Sequence, residues 1–464
     1  MVSDPAKNEL DRIAQMFAVS DADLVKITQG FGQAYLKGLQ VPSQPVVMGP
    51  SWVTHSPTGD ETGKALTLEI SWNHVVVTAV NLEGRRHYTQ EPKMFDISKD
   101  MMTSDASAFF GFLANCVQQY VEDKDLKDTL LPLGFIFPFA FQKDNMQHGK
   151  LLAWSKGFSI QGVVGECVVD LLQNAMDQRG LQVKCEAIVN DTVAVLLAQS
   201  YLETSCVMSA VYGAGTNGSY MENGASISKI PNFKGSQMMI NTEWGALNET
   251  SLFRPTPFDQ QVDQESANPK HYRFQKLTSW FYLGEISRFI LLELVSKQLL
   301  FNGKATEALK RHGSFASFHL FKIEDAPDLT TVKTWICDLF DYEPNEVSNE
   351  DADIVQQIAG IVAVRSGRMV GCPIAALITH MGYDTDAEMI NIAVDGEFFI
   401  GSAQFEARLK KSVATILGND VEHKLKFHHV QGNGFIGGAI AALEGAHGQI
   451  PNIMSKWGVN SYAA

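Results

Sequence analysis

A chain of 464 residues is too long for one small core, and two large lobes are the natural expectation. Its 52 acidic and 37 basic residues leave a formal charge of −15, which argues against a general nucleic-acid or anionic-membrane binder, because phosphate needs a basic footprint. Six dispersed cysteines without a C-x-x-C pair (Cys116, Cys167, Cys185, Cys206, Cys337 and Cys372) indicate neither a zinc site nor a disulfide framework. No basic-then-apolar leader and no apolar run of membrane-spanning length stands out, so the sequence reads as soluble and cytoplasmic, with a nuclear or mitochondrial-surface address left open.

Residues 8–40 carry two helical stripes, Leu10, Ile13 and Phe17, then Leu24, Ile27, Phe31, Tyr35 and Leu39. Between them Ser20-Asp21-Ala22-Asp23 has the form of a capping box. Residues 41–64, rich in Pro, Gly, Ser and Thr, read as irregular. Strands follow at 65–70 and 75–80, joined by Ser71-Trp72-Asn73-His74. Residues 109–121 read as a helix and 130–137 as a buried strand. Val164, Val168, Leu171, Leu172 and Ala175 form another helical stripe, with Gly180 as its stop.

Val183, Cys185, Ala187 and Val189 then alternate with polar residues, a half-buried strand that ends on Asn190-Asp191-Thr192 and opens an apolar helix. A carboxylate at the carboxyl end of a strand is a usual place for chemistry in α/β proteins, although Asp and Thr also cap helices routinely. Residues 207–212 form a strand running into the glycine-rich Gly213-Ala214-Gly215-Thr216-Asn217-Gly218. Residues 277–301 read as one long helix. The C-terminal part alternates again: strand 390–394, turn Asp395-Gly396, helix 405–417, strand 425–430, and a closing helix from about Gly437. Strands alternating with helices mean an α/β protein.

Five segments in order carry a resemblance: Leu133-Gly134-Phe135 with Phe137 and Phe139; Trp154-Ser155-Lys156-Gly157-Phe158; Asn190-Asp191-Thr192; Gly213-Ala214-Gly215-Thr216-Asn217; and Ile240-Asn241-Thr242-Glu243-Trp244-Gly245. Together they resemble a eukaryotic hexokinase, from about residue 10 to the end. The resemblance implies a two-lobed actin-like ATPase fold around a sugar-binding cleft. It implies residues 1–64 as N-terminal helices of the large domain, 65–195 as the small domain, 196–442 as the large domain, and 443–464 as a helix returning to the small one. The family moves the ATP γ-phosphoryl to the hexose 6-hydroxyl, with Mg²⁺ on the nucleotide; the residues point to no protein-held metal.

By the same resemblance Asp191 stands at the base position, and Lys156, Asn190, Asp191, Asn217 and Glu243 match sugar-binding positions. Ser155 replaces a Thr, Gln275 a second glutamate, and Pro138 a Ser. The nucleotide side departs further. Where the family reads D-L-G-G-T-N-x-R, this chain reads Glu69-Ile70-Ser71-Trp72-Asn73-His74-Val75-Val76. Ser71 and Trp72 replace glycines that let backbone approach phosphate, Asn73 stands for Thr, and Val76 stands for Arg. G-T-G becomes Gly213-Ala214-Gly215, followed by Thr216; D-G-S becomes Asp395-Gly396-Glu397. The last motif reads Gln431-Gly432-Asn433-Gly434-Phe435-Ile436, where Phe435 and Ile436 replace small residues and Phe435 is expected to intrude on the adenosine.

Departures thus cluster on the nucleotide side. The pattern resembles the atypical hexokinase-like proteins of filamentous fungi, which implies a hexose-binding, catalytically impaired regulator of carbon or nutrient response, with a regulatory protein partner and neither nucleic acid nor membrane. Two other readings stay open: an active hexose or amino-sugar 6-kinase with a rearranged phosphate site, and a ligand-free scaffold.

Overall fold

The computed structural model describes residues 2–203, 206–384, 389–430, 432 and 434–447. Two mixed sheets dominate it. The smaller has five strands in the spatial order His87–Asp96, His74–Gly84, Thr62–Ile70, Leu131–Ile136 and Val183–Val189. The larger has six, in the order Gly49–Pro50, Gln237–Asn241, Thr216–Asn223, Cys206–Tyr212, Ile390–Asp395 and Leu425–His429. A hairpin, Ala140–Asn145 with His148–Ala153, stands apart from both.

The N-terminal helices Asp4–Phe17 and Asp21–Gln40 bury their two stripes in the core of the larger sheet's side, and the Ser20–Asp23 capping box forms as expected. Helix Ala106–Asp123 packs on helix Val168–Asp177 beside the smaller sheet. Val164 lies outside the latter helix and is exposed, because the chain turns through Gly162 and Gly165 at positive φ before the helix begins.

Two helices join the sheets. Helix Asp191–Leu202 follows a strand of the smaller sheet and packs against strands of the larger one. Helix Gly434–His447 follows the larger sheet and packs against the smaller one, so the return begins at Gly434 rather than at 443. The two helices also pack on each other. The approach is close enough to require glycine: a Cβ on Gly437 would sit 1.9 Å from the carbonyl oxygen of Ala194, and one on Gly134 would sit 2.1 Å from that of Gly438.

Three sequence readings need correction. The helix expected over 277–301 is two helices, Arg273–Thr278 and Trp280–Ser296, broken at Ser279. The edge strand His87–Asp96 is additional. Finally, the helical run Asn349–His380 does have the length and apolarity of a membrane span, but 83% of its apolar stretch is buried in the protein. Its apolar stretch packs among other helices of the larger lobe's core.

The glycine contacts give a stability test. Gly437→Ala should lower stability by about 1–3 kcal/mol through overpacking. Gly32→Ala, on a helix with nothing within 4 Å of the added methyl, should be neutral or stabilising by up to ~1 kcal/mol. Urea unfolding midpoints of the two variants should move apart; equal midpoints would mean that the close approach carries no weight.

Candidate functional site

Asp191 begins its helix where the strand Val183–Val189 ends, and Asn190, not Asp191, is the helix cap. Asn190 Oδ1 accepts from the Thr192 N–H at 3.0 Å and from the Thr192 hydroxyl at 2.8 Å. Asp191 is thereby free to face a cleft of about 280 Å³ between the two sheets. Ser155, Lys156, Asp191, Asn217, Glu243 and Gln275 all line that cleft, although they come from distant segments. Asn190 lies just behind it, its amide oxygen also receiving Asn217 Nδ2 at 3.2 Å, and it faces a small adjacent hollow instead.

The sugar-facing groups are held by one another. Lys156 Nζ donates to the Pro138 carbonyl at 2.9 Å and lies 3.7 Å from an Asp191 carboxylate oxygen. Pro138, which lacks the hydroxyl and the N–H of a Ser, still serves through this carbonyl. Lys156 itself adopts φ +57° in the tight turn closed by Phe158 N–H on the Ser155 carbonyl. Glu243, at φ +56°, receives Asn241 Nδ2 at 2.8 Å and Asn217 Nδ2 at 3.2 Å, and donates its own N–H to Asn217 Oδ1 at 2.9 Å. Burial, opposed by the Asn241 bond, raises the Glu243 carboxyl to about 7. Asn241 was not among the expected site residues. It stands two positions before Glu243 at the end of a strand, and the period of two could have paired them.

The break at Ser279 explains Gln275. Ser279 Oγ donates to the Ala214 carbonyl at 3.0 Å and the Trp280 N–H donates to the Gly213 carbonyl at 2.8 Å, so the helix yields to the glycine-rich turn. Gln275 then points at that turn. Its Oε1 accepts the Thr216 N–H at 3.4 Å, and its side chain also hydrogen-bonds the Tyr282 hydroxyl.

The nucleotide-side positions divide. Glu69, Ser71, Trp72, Gly213, Ala214, Gly215, Thr216, Asp395, Gly396, Glu397 and Gly432 line the same cleft. Asn73 does not; it sits at the exposed tip of the Thr62–Ile70/His74–Gly84 hairpin, its Oδ1 2.7 Å from His74 Nδ1. Val76 does not either; it is buried, directly across the strand pair from Glu69. Phe435 and Ile436 correct an expectation: both are buried in the core around the closing helix, and neither lines the cleft. Gln431 and Asn433 lie outside the described residues.

Glu397 is the decisive feature on this side. Its Oε2 lies 1.9 Å from where a Cβ on Gly213 would be, so its carboxylate fills the space the glycine leaves open. The backbone N–H groups of Glu397 and Ala214 both face that carboxylate. Burial raises the carboxyl all the same, as it does for Asp395. Glu69 is pushed up to about 8 by burial and by the nearby Asp395 and Asp191. Five carboxyl groups therefore line the cleft, and Lys156 is the one permanent cation among the described lining residues. The backbone N–H groups of the glycine turn are thus already faced by the Glu397 carboxyl, which burial shifts toward its neutral form.

Two family models, each describing hexokinase, match residues 9–201 and 207–444. This chain belongs to the hexokinase family. It is 31% identical to the hexokinase of Schwanniomyces occidentalis over 422 residues, covering 88% of this chain and 86% of that protein. It is 30% identical to the hexokinase of Schistosoma mansoni, covering 93% and 96% respectively. It is also 31% identical to human hexokinase HKDC1, of which it spans 45%. Its fold matches the structure of the Schistosoma mansoni hexokinase complexed with glucose, with a TM-score of 0.87 and 29% identity over 94% of this chain and 99% of that one. The two-lobed α/β fold of the actin-like ATPases is thus the fold of this chain.

Glu243 supplies a pH test. Its folded pKa of about 7 lies above its ordinary value of 4.5, so the fold prefers the neutral acid. The stability it contributes is full below about 4.5 and is lost as pH rises through about 7. Glu243→Gln should flatten the fall of the thermal midpoint across that window; a slope identical to that of the native chain would place the ionisation elsewhere.

Proposed function

We propose that this hexokinase-family chain binds a hexose in the cleft and transfers phosphoryl poorly or not at all, acting as a regulator of carbon or nutrient response. The supporting observation is a contrast within one cavity. Ser155, Lys156, Asp191, Asn217, Glu243 and Gln275 converge on it, whereas Glu397 occupies the glycine turn on its nucleotide side. Glucose is the first sugar to try, given the complex formed by the Schistosoma relative.

In this proposal Asp191 receives a hydrogen bond from a sugar hydroxyl and Lys156 orients the carboxylate. Asn217 and Glu243 take further hydroxyls, and Gln275 stands beside them in the cleft wall. Asp191 is then a base with the right placement and no phosphoryl donor to serve. Loss of one well-placed donor to a developing oxyanion costs ~10²–10³ in rate, and here an Arg, a hydroxyl and an accessible turn are all replaced. The smaller lobe is residues 65–195 with the closing helix, the larger is 1–64 and 196–430, and their closure on sugar is the signal a protein partner reads. The proposed compartment is the cytoplasm.

A coupled ADP-release assay with millimolar ATP and Mg²⁺ should give turnover far below the ~1–100 s⁻¹ of typical kinases with glucose, fructose, mannose or N-acetylglucosamine. Calorimetry on the same panel should detect binding of at least one sugar. Asp191→Ala should weaken that binding roughly 10–100-fold, the worth of a charge-assisted hydrogen bond. Kinase-range turnover with any of them would instead favour an active kinase with a rearranged phosphate site. Absence of heat with every sugar would favour the scaffold.

A further inference from the structure

Three metal-capable side chains meet away from the cleft, where the Ala140–Asn145/His148–Ala153 hairpin touches helix Val168–Asp177. One ligand atom from each of His148, Cys167 and Asp170 lies within 4.8 Å of the others. The backbone brings them there. Lys150 and Cys167 form an antiparallel bridge, and the Leu151 N–H donates to the Glu166 carbonyl at 3.1 Å, so the helix start is fastened beside His148. Cys167 flanks the helix N-terminus and Asp170 is in its first turn, three positions later and on the same side.

The chemistry of the three is complementary. A thiol, an imidazole and a carboxylate around one point are the mixed S, N, O donor set that suits zinc, whereas calcium and magnesium take oxygen alone. An Asp144 carboxylate oxygen lies 3.0 Å from His148 Nδ1. Held there, Nδ1–H leaves the Nε2 lone pair for an ion, and a carboxylate behind a metal-bound histidine is a common supporting partner. Cys167 is buried while Asp170 is exposed, so an ion has a route in and a dry side to rest against. Backbone N–H groups of Gly149, Val169 and Asp170 face the Cys167 sulfur, although burial outweighs them and raises the thiol.

We propose that His148, Cys167 and Asp170 bind one Zn²⁺ ion, with water as the fourth ligand. Zinc bond lengths of ~2.0–2.3 Å require the donor atoms to draw together from their present spread, by side-chain rotation. On binding, the Cys167 S–H bond breaks, its proton passes to solvent, and the thiolate pair forms the Zn–S bond. The ion would clip the hairpin to the helix. Because the His148–Ala153 strand leads directly into Ser155 and Lys156, the clip would hold the segment that delivers those residues to the cleft.

Cobalt(II) titration of the full chain after chelator treatment tests this. The expected result is a thiolate-to-cobalt charge-transfer band that saturates at one equivalent and is displaced by Zn²⁺. The band should vanish in Cys167→Ser, and Asp144→Asn should weaken cobalt binding roughly 10–100-fold. His148→Gln and Asp170→Asn should weaken it as well, and they carry the test if Cys167→Ser does not fold. No band in natively folded protein, a band unchanged by Cys167→Ser, or unchanged affinity in both His148→Gln and Asp170→Asn would overturn the proposal.

Discussion

The close contact of the two inter-sheet helices is the constraint on which the rest depends. Gly437 lies against the Ala194 carbonyl and Gly438 against Gly134, with no room for a side chain at either interface. That contact fixes helix Asp191–Leu202 between the sheets and so sets Asp191 at its starting end, facing the cavity. A methyl group inserted there would separate the helices, and with them the strand ends that supply Asp191, Lys156 and Glu243. Close-packed interiors transmit such shifts rather than absorb them.

Within the cleft, two halves of one cavity follow opposite rules. On the sugar side each polar group is oriented by a neighbour: Asn241 and Asn217 by Glu243, Lys156 by Pro138 and Asp191, Gln275 by the Thr216 N–H. Burial with partners makes these groups rigid at little cost. On the other side three carboxyl groups crowd one another, and burial raises all three. The Glu397 carboxylate lies in the turn, Asp395 and Glu69 stand near it, and Trp72 adds an indole to the wall.

Much of this was legible in the sequence, for identifiable reasons. Strand alternation into Asn190-Asp191-Thr192 located the cleft carboxylate, and the short motifs around Lys156, Asn217 and Glu243 located its companions. What stayed hidden depended on tertiary contact. The edge strand His87–Asp96 contains Pro92 and alternates exposed positions, as edges do, so no apolar stripe marks it. The break at Ser279 is dictated by two carbonyls of a turn more than 60 residues earlier. Phe435 looked like an obstruction because it replaces a small residue of its motif, yet at its place in the first helical turn it faces the core. The His148, Cys167 and Asp170 group escaped notice because the sequence shows only scattered cysteines.

Glu397 is proposed to stand where phosphate would lie. Equilibrium binding of Mg·ATP to the native chain and to Glu397→Ser, at one ionic strength and with saturating sugar, tests it directly. Removal of a like charge a few ångströms from the phosphates should tighten binding at least ~10-fold. Micromolar affinity in the native chain, unchanged by the substitution, would contradict the account.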